Sequence, residues 1–284
     1  MIPSAFDYVA ASTVEEALAV LSQAGEDAKI LAGGQSLVPV LRLRLATPTM
    51  LVDLNKISEL HGIRDDGDAI VVGAMTTHHD VINDSLVAEH AALLALASRT
   101  VGDPQIRHRG TLGGALVHAD PAGDLLAPAV ALDAEMIIAG PGGRRTVPAA
   151  EFFVGLFTTA VGPDEVLIEV RIPKKTGWGA HYEKFNRVAQ AWSIVAVAAA
   201  VRTEGTSIAE ARVALTNMAA TPVRAVGVER ALVGQPADVA TIRAAAEHAA
   251  EGTSPSSDGN ADADYREHLA RVLTGRAVAA AAGI

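Results

Sequence analysis

The 284-residue chain contains no cysteine. That excludes disulfides, cysteine-ligated zinc and any Fe–S cluster held by this chain alone. Basic clusters are missing as well. The chain has 23 Lys and Arg against 33 Asp and Glu, a formal net charge of −10. The Arg42/Arg44 and Arg144/Arg145 pairs read as solvated surface charge, so no nucleic-acid partner is expected. Long apolar runs are absent too: the longest clean one, residues 194–201, stops at Arg202 and is far too short to span a bilayer. The opening, residues 1–7, has neither a basic n-region nor an apolar h-region, so no secretory signal is expected. These absences point to a cytoplasmic protein, with any contact to the inner face of a membrane made through partners. Aromatics are few, yet half the chain is hydrophobic, ample for a core in one or two domains.

What the chain does have is a pair of glycine loops. The first is Ala32-Gly33-Gly34-Gln35-Ser36 and the second Thr111-Leu112-Gly113-Gly114-Ala115. Each sets a Gly-Gly pair beside a small hydroxyl residue. Without a Cβ, backbone N–H groups can approach an anionic ligand closely, and Gly tolerates positive φ. Two such loops suit a diphosphate, with Ser36 and Thr111 adding hydroxyl donors. A dinucleotide is the first candidate. No Gly-Lys-Ser/Thr follows the glycines, and no G-x-G-x-x-G joins a strand to a helix, so the phosphate loop of ATPases and the Rossmann fingerprint are both excluded. Taken singly, either loop reads equally well as a tight turn.

Local patterning is α+β. Ser12 and Glu15 form a capping-box pattern before a helix over residues 14–21. Short strands are predicted over 29–32, 50–54 and 69–74. Thr76 or Thr77 caps a helix from about His78, and 85–100 reads as one amphipathic helix. A helix is expected over 124–132, a hairpin over 135–148 turning at 140–143, and a strand over 165–172. Residues 173–177 break the pattern, and the domain boundary is placed there. Beyond it three strands are predicted (181–187, 193–204, 208–215), then helices around 223–233, 237–251 and 264–281, with 252–260 an exposed loop.

The glycine loops, with Asp103-Pro104-Gln105-Ile106-Arg107, Arg171-Ile172-Pro173, Tyr182-Glu183-Lys184 and Leu215-Thr216-Asn217, resemble the FAD-binding medium subunits of molybdenum hydroxylases. The resemblance covers nearly the whole chain in order and is closest to the medium subunits of aerobic carbon monoxide dehydrogenase. It implies a two-lobed FAD-binding domain of the vanillyl-alcohol-oxidase/PCMH type over residues 1–175. A small C-terminal domain over 176–284 follows, with a three-stranded antiparallel sheet and helices. It also implies FAD in this chain, with 2Fe–2S clusters on a small partner subunit and the molybdenum cofactor on a large one. The assembly would be a dimer of heterotrimers delivering electrons to an external acceptor such as a quinone. A cysteine-free chain fits the flavin stage of such a series and cannot be its Fe–S stage.

Residue by residue, the resemblance puts the FAD pyrophosphate between the two loops. Ala115 stands where the family carries Asn, which removes one side-chain contact worth ~1 kcal/mol. Asp124 matches an acidic residue near the cofactor's sugar and phosphates; on its own pattern it is equally an N-cap. Leu167 and Lys184 match flavin contacts, and Leu167 is equally plain core. Trp192 lies where an aromatic residue stands against the isoalloxazine, the alternative being a core tryptophan at a strand start. Asp120 serves an Asp-Pro turn. His78-His79 and His118-x-Asp120 lack a third ligand at convincing spacing, so no metal site is expected. No G-x-S-x-G elbow supports a Ser-His-Asp triad. Two rival functions remain. One is the medium subunit of a hydroxylase of purines, nicotinate, aldehydes or aromatic thioesters; the other is a stand-alone flavin oxidase, for which no covalent flavin anchor is visible. A non-enzymatic binding protein with a degenerate nucleotide site is the third class, supported only by Ala115.

Overall fold

The computed structural model describes residues 2–284. The first lobe is a parallel sheet in the order Asp7–Ala10, Met50–Asp53, Ala28–Leu31. Parallel strands need crossovers, and helix Val14–Ala24 provides the one between the two edge strands, burying Val14, Ala17 and Leu21 in a cluster with Val52 and Leu54. Its N-cap is Thr13, whose Oγ1 accepts from Glu16 N at 3.1 Å, while the Glu16 carboxylate accepts from Ser12 N at 2.7 Å. The cap therefore sits one residue later than the Ser12–Glu15 spacing predicts. For a helix starting at Val14 the third residue is Glu16, and only that side chain reaches back.

The second lobe is an antiparallel sheet ordered Ile63–Asp66, Ala69–Gly73, Val166–Pro173, Glu135–Gly140, Gly143–Pro148. Thr77 caps helix His78–Asn83. The helix expected over 85–100 is instead two, Ser85–His90 and Ala92–Arg99, broken at Ala91 (φ −143°, ψ 44°). The cause is tertiary. Lys175 N donates to His90 O at 2.8 Å, and His90 Nδ1 lies 2.7 Å from Thr176 Oγ1, so the interdomain segment takes a carbonyl the helix would have used.

The C-terminal sheet has four strands, not three: Gly179–Phe185, Val195–Glu204, Ser207–Thr216 and Val223–Arg224. The fourth pairs only Val223 and Arg224 with Leu215 and Ala214, too short a stretch to carry a period-2 signal. Helix Val226–Leu232 starts after it. Strand Val195–Glu204 divides its side chains by alternation. Ala196, Ala198 and Ala200 join the core of the second lobe, while Val195, Val197, Ala199 and Val201 pack with Leu269, Leu273 and Ala277 of helix Ala263–Ala282. Apolar packing is therefore continuous across the 173–177 segment.

Candidate functional site

A cavity of ≈ 940 Å³ runs where the first lobe, the second lobe and the C-terminal sheet meet. Ala32, Gly33, Gly34, Gln35, Ser36, Thr111, Gly113, Gly114, Ala115, Asp124, Leu167, Lys184 and Trp192 all line it. Leu112 does not; it is buried in the core of the second lobe.

The two loops lie backbone to backbone. A Cβ on Gly33 would fall 2.2 Å from Arg109 O, and one on Gly114 would fall 2.7 Å from Thr111 Oγ1 and 3.2 Å from Ala32 Cβ. Gly34 has φ +75°, the left-handed region that favours glycine. The loops differ in what they can offer a ligand. In the second, Leu112 N donates to Thr76 O, Gly113 N to Ala74 O, Ala115 N to Thr111 O and Gly114 N to Thr111 Oγ1. These N–H groups are already used, and Thr111 keeps its own hydroxyl proton to give. In the first, the N–H groups of Gly34, Gln35 and Ser36 have no acceptor among the described residues. The Ser36 hydroxyl caps nothing either. An anion would thus draw its backbone donors from the first loop, with the second packing beside it and supplying a hydroxyl.

At another part of the cavity Asp124 and Lys184 form a buried ion pair of 2.7 Å. Asp124 Oδ1 also accepts from Tyr182 Oη and Ser193 Oγ, both at 2.9 Å, and Lys184 Nζ donates onward to Thr100 O at 3.1 Å. Burial pushes the Asp124 carboxyl above its ordinary value, against the pull of the Lys184 ammonium and the two hydroxyls. Burial, then the Asp124 charge, drives the Tyr182 hydroxyl well above its own. Asn217 (φ 63°) holds this end in place through Nδ2, which donates to Ser193 O and Ile194 O. Asp124 is not an N-cap: helix Leu126–Ala131 starts after Leu125 with no side-chain cap.

Trp192 is 56% exposed and is no part of the core. Its loop is tied across the cavity by Gln190 Nε2, which donates to Asp103 Oδ2 at 2.9 Å. Asp120 makes the turn expected of it, accepting Ala122 N at Oδ1. His78 is buried beside Gly110, its Nδ1 has no partner among the described residues, and burial together with the Arg107 charge lowers its pKa to about 4. His79 stacks on His108 instead, with ring centroids 3.9 Å apart. Gln190, Lys29 and Phe157 line the cavity without any sequence signal. Phe157 sits at φ 51° with its ring 5.3 Å from that of His118. Lys29 comes from the strand that leads into the first loop, whereas Gln190 and Phe157 come from segments remote from both loops, and only the fold brings those two to the cavity.

A cavity of this size, lined by the first loop's free N–H groups and by the Ser36 and Thr111 hydroxyls, fits a dinucleotide bearing a diphosphate. A family model described as the FAD binding domain in molybdopterin dehydrogenase matches residues 4–175, and one described as the CO dehydrogenase flavoprotein C-terminal domain matches 180–281. The chain belongs to the FAD-binding medium subunits of the molybdenum hydroxylases. It is 42% identical over 284 residues to the carbon monoxide dehydrogenase medium chain of Hydrogenophaga pseudoflava, covering 99% of this chain and 98% of that one. The glyceraldehyde dehydrogenase medium chain of Sulfolobus acidocaldarius is 34% identical over 277 residues, with 98% of each covered. Among solved structures, a carbon monoxide dehydrogenase chain from Hydrogenophaga pseudoflava superposes with a TM-score of 0.96 at 43% identity, covering 99% of this chain and 98% of that one. As a flavoprotein subunit of this family, the chain is part of an oxidoreductase and its cofactor is FAD.

Proposed function

We propose that this flavoprotein subunit serves an aerobic carbon monoxide dehydrogenase. Full-length identity of 42% to one such medium chain, against 34% to a glyceraldehyde dehydrogenase medium chain, is the observation that carries the choice of substrate. The second of those matches favours one alternative, a related hydroxylase acting on an aldehyde or another organic substrate. In either case the substrate reacts on a large molybdenum subunit, and electrons arrive through 2Fe–2S clusters on a small subunit. They leave toward an external acceptor such as a quinone, from a cytoplasmic dimer of heterotrimers that meets the inner face of the membrane only through its partners. The FAD-binding domain takes residues 1–175 and the flavoprotein C-terminal domain 176–284.

When bound, FAD supplies a carrier that accepts and releases electrons. The chain's own residues bind and tune it. Gly34, Gln35 and Ser36 present backbone N–H groups to the diphosphate, Gly33 and Gly114 let the two loops lie against each other, and Gly113 packs on Ala74. Ala32, Thr111, Leu112 and Ala115 complete those loops. Lys184, steadied by Asp124, places an ammonium in the cavity wall, which favours added negative charge on the cofactor. Leu167 excludes water, and Trp192 offers a flat indole suited to offset stacking.

The test is the visible spectrum of the complex isolated with its native partners, before and after anaerobic carbon monoxide. Flavin and Fe–S bands that bleach support the assignment. Bands that stay unmoved with the gas but bleach with an aldehyde or N-heterocycle would replace the substrate and keep the subunit's role.

A further inference from the structure

Two side-chain amides, Asn55 outside the cavity wall and Gln35 within the first glycine loop, bond that loop's carbonyls, a task the proposed diphosphate role assigns to neither. Asn55 Nδ2 donates to Ala32 O at 3.2 Å and to Asp53 Oδ1 at 2.6 Å, and Asn55 N donates to the same Asp53 oxygen at 2.8 Å. Both partners of Nδ2 can only accept, since one is a carbonyl and the other a carboxylate, so the amide orientation is forced. Asp53 is itself anchored: it is 9% exposed, and its Oδ2 accepts from Tyr8 Oη at 2.5 Å. Gln35 Nε2 donates to Gly33 O at 3.3 Å.

Among the described residues no peptide bond is cis, so in each peptide unit the carbonyl and the following N–H point opposite ways. Fixing Ala32 O therefore fixes the direction of Gly33 N–H. Fixing Gly33 O does the same for Gly34 N–H, which has no acceptor among the described residues. The loop cannot turn toward its neighbour instead, because Arg109 O already lies where a Gly33 Cβ would be. Asn55 makes these bonds from outside the cavity wall, so it acts through the backbone alone.

We infer that Asn55, anchored by Asp53 and Tyr8, is a positioning residue that sets the Ala32–Gly33 peptide and so pre-orients the first loop's N–H groups toward a diphosphate. The inference rests on the proposed FAD site. Preorganised donors bind without first losing their own conformational freedom, so their loss appears as affinity rather than as fold stability.

The test uses the full-length chain, stripped of flavin and titrated with FAD. Asn55→Ala and Asn55→Leu are compared with the parent; the second keeps the approximate shape and removes the donor without adding a charge beside Asp53. Tyr8→Phe, at a half-exposed residue that leaves the fold intact, removes only the anchor on Asp53. The expected result is a weakening of FAD binding by about tenfold for both Asn55 variants and about twofold to threefold for Tyr8→Phe. The melting temperature of the flavin-free protein should stay unchanged, and the phosphorus NMR resonances of the FAD-loaded Asn55 variants should shift. FAD affinity within about twofold of the parent in the Asn55 variants would overturn the inference. So would affinity and flavin-free melting falling together with phosphorus resonances unmoved. If the Asn55 variants do not fold, an unchanged FAD affinity in Tyr8→Phe overturns it. A parent chain that binds no FAD would sink the proposed function instead.

Discussion

Asp124 and Lys184 face each other at 2.7 Å across the junction of the second lobe and the C-terminal sheet, with their side chains 4% and 7% exposed. Neither domain alone could bury this pair. The cofactor cavity is thus assembled by domain packing, and the same contact sets an ammonium beside a carboxylate in its wall.

Lys184→Met should be costly. It leaves the Asp124 carboxylate buried with only the Tyr182 and Ser193 hydroxyls for company. Removing one partner of a buried pair typically costs about 3–5 kcal/mol. Urea unfolding of the flavin-free chain measures it, and a loss under about 1 kcal/mol would mean the pair is solvated in solution.

Gly33→Ala should separate the glycine loops. Its Cβ would meet a backbone oxygen, Arg109 O, at 2.2 Å, and backbone cannot move aside as a flexible side chain can. Overpacking of this kind costs about 1–3 kcal/mol, so FAD affinity should fall by about tenfold or more. Gly142→Ala, where nothing lies within 4 Å, is the control and should leave affinity alone. Equal affinities in the two variants would show that the loops do not meet around the diphosphate.

Trp192→Ala should spare stability and change the flavin. The indole is 56% exposed, so its removal forfeits little burial. A stacked aromatic pair is worth about 0.5–1.5 kcal/mol, enough to weaken FAD binding severalfold or to move its reduction potential, and Trp192→Phe should restore most of either. Unchanged flavin content and potential in Trp192→Ala would remove the stacking role.

His78 should make the chain sensitive to mild acid. Its pKa is about 4 in the folded chain against 6.5 ordinarily, through burial first and the Arg107 charge second. Between those values the unfolded chain binds a proton on His78 that the folded chain does not. Stability therefore falls as pH drops from about 6.5 to about 4, by up to about 3 kcal/mol from this group. His78→Leu should flatten that part of the stability–pH curve relative to the parent. An unaltered slope would mean that the ring is solvated.

Much of this is legible in the sequence. The glycine loops, the hairpin turning at 140–143 and the strands flanking 173–177 are local patterns, and the structure has them where the residues predict. What the sequence misstated was set by distant contacts. The helix over 85–100 breaks because Lys175 reaches His90 O, and the fourth C-terminal strand exists only through its pairing with residues 214–215. At the site, residue types indicated where donors could be but not which were free. The second loop spends its N–H groups on Ala74, Thr76 and its own cap, a division no motif encodes. Asn55 gave no signal, since its role depends on Ala32 and Tyr8, which two other strands bring to the Asp53–Asn55 corner.

The most direct test of the account is the flavin carried by the purified chain, released by denaturation, identified by chromatography and counted against protein. The account predicts FAD, one per chain, held by the two glycine loops through its diphosphate. FMN or riboflavin in its place, or a chain that takes up no FAD when it is supplied, would contradict it.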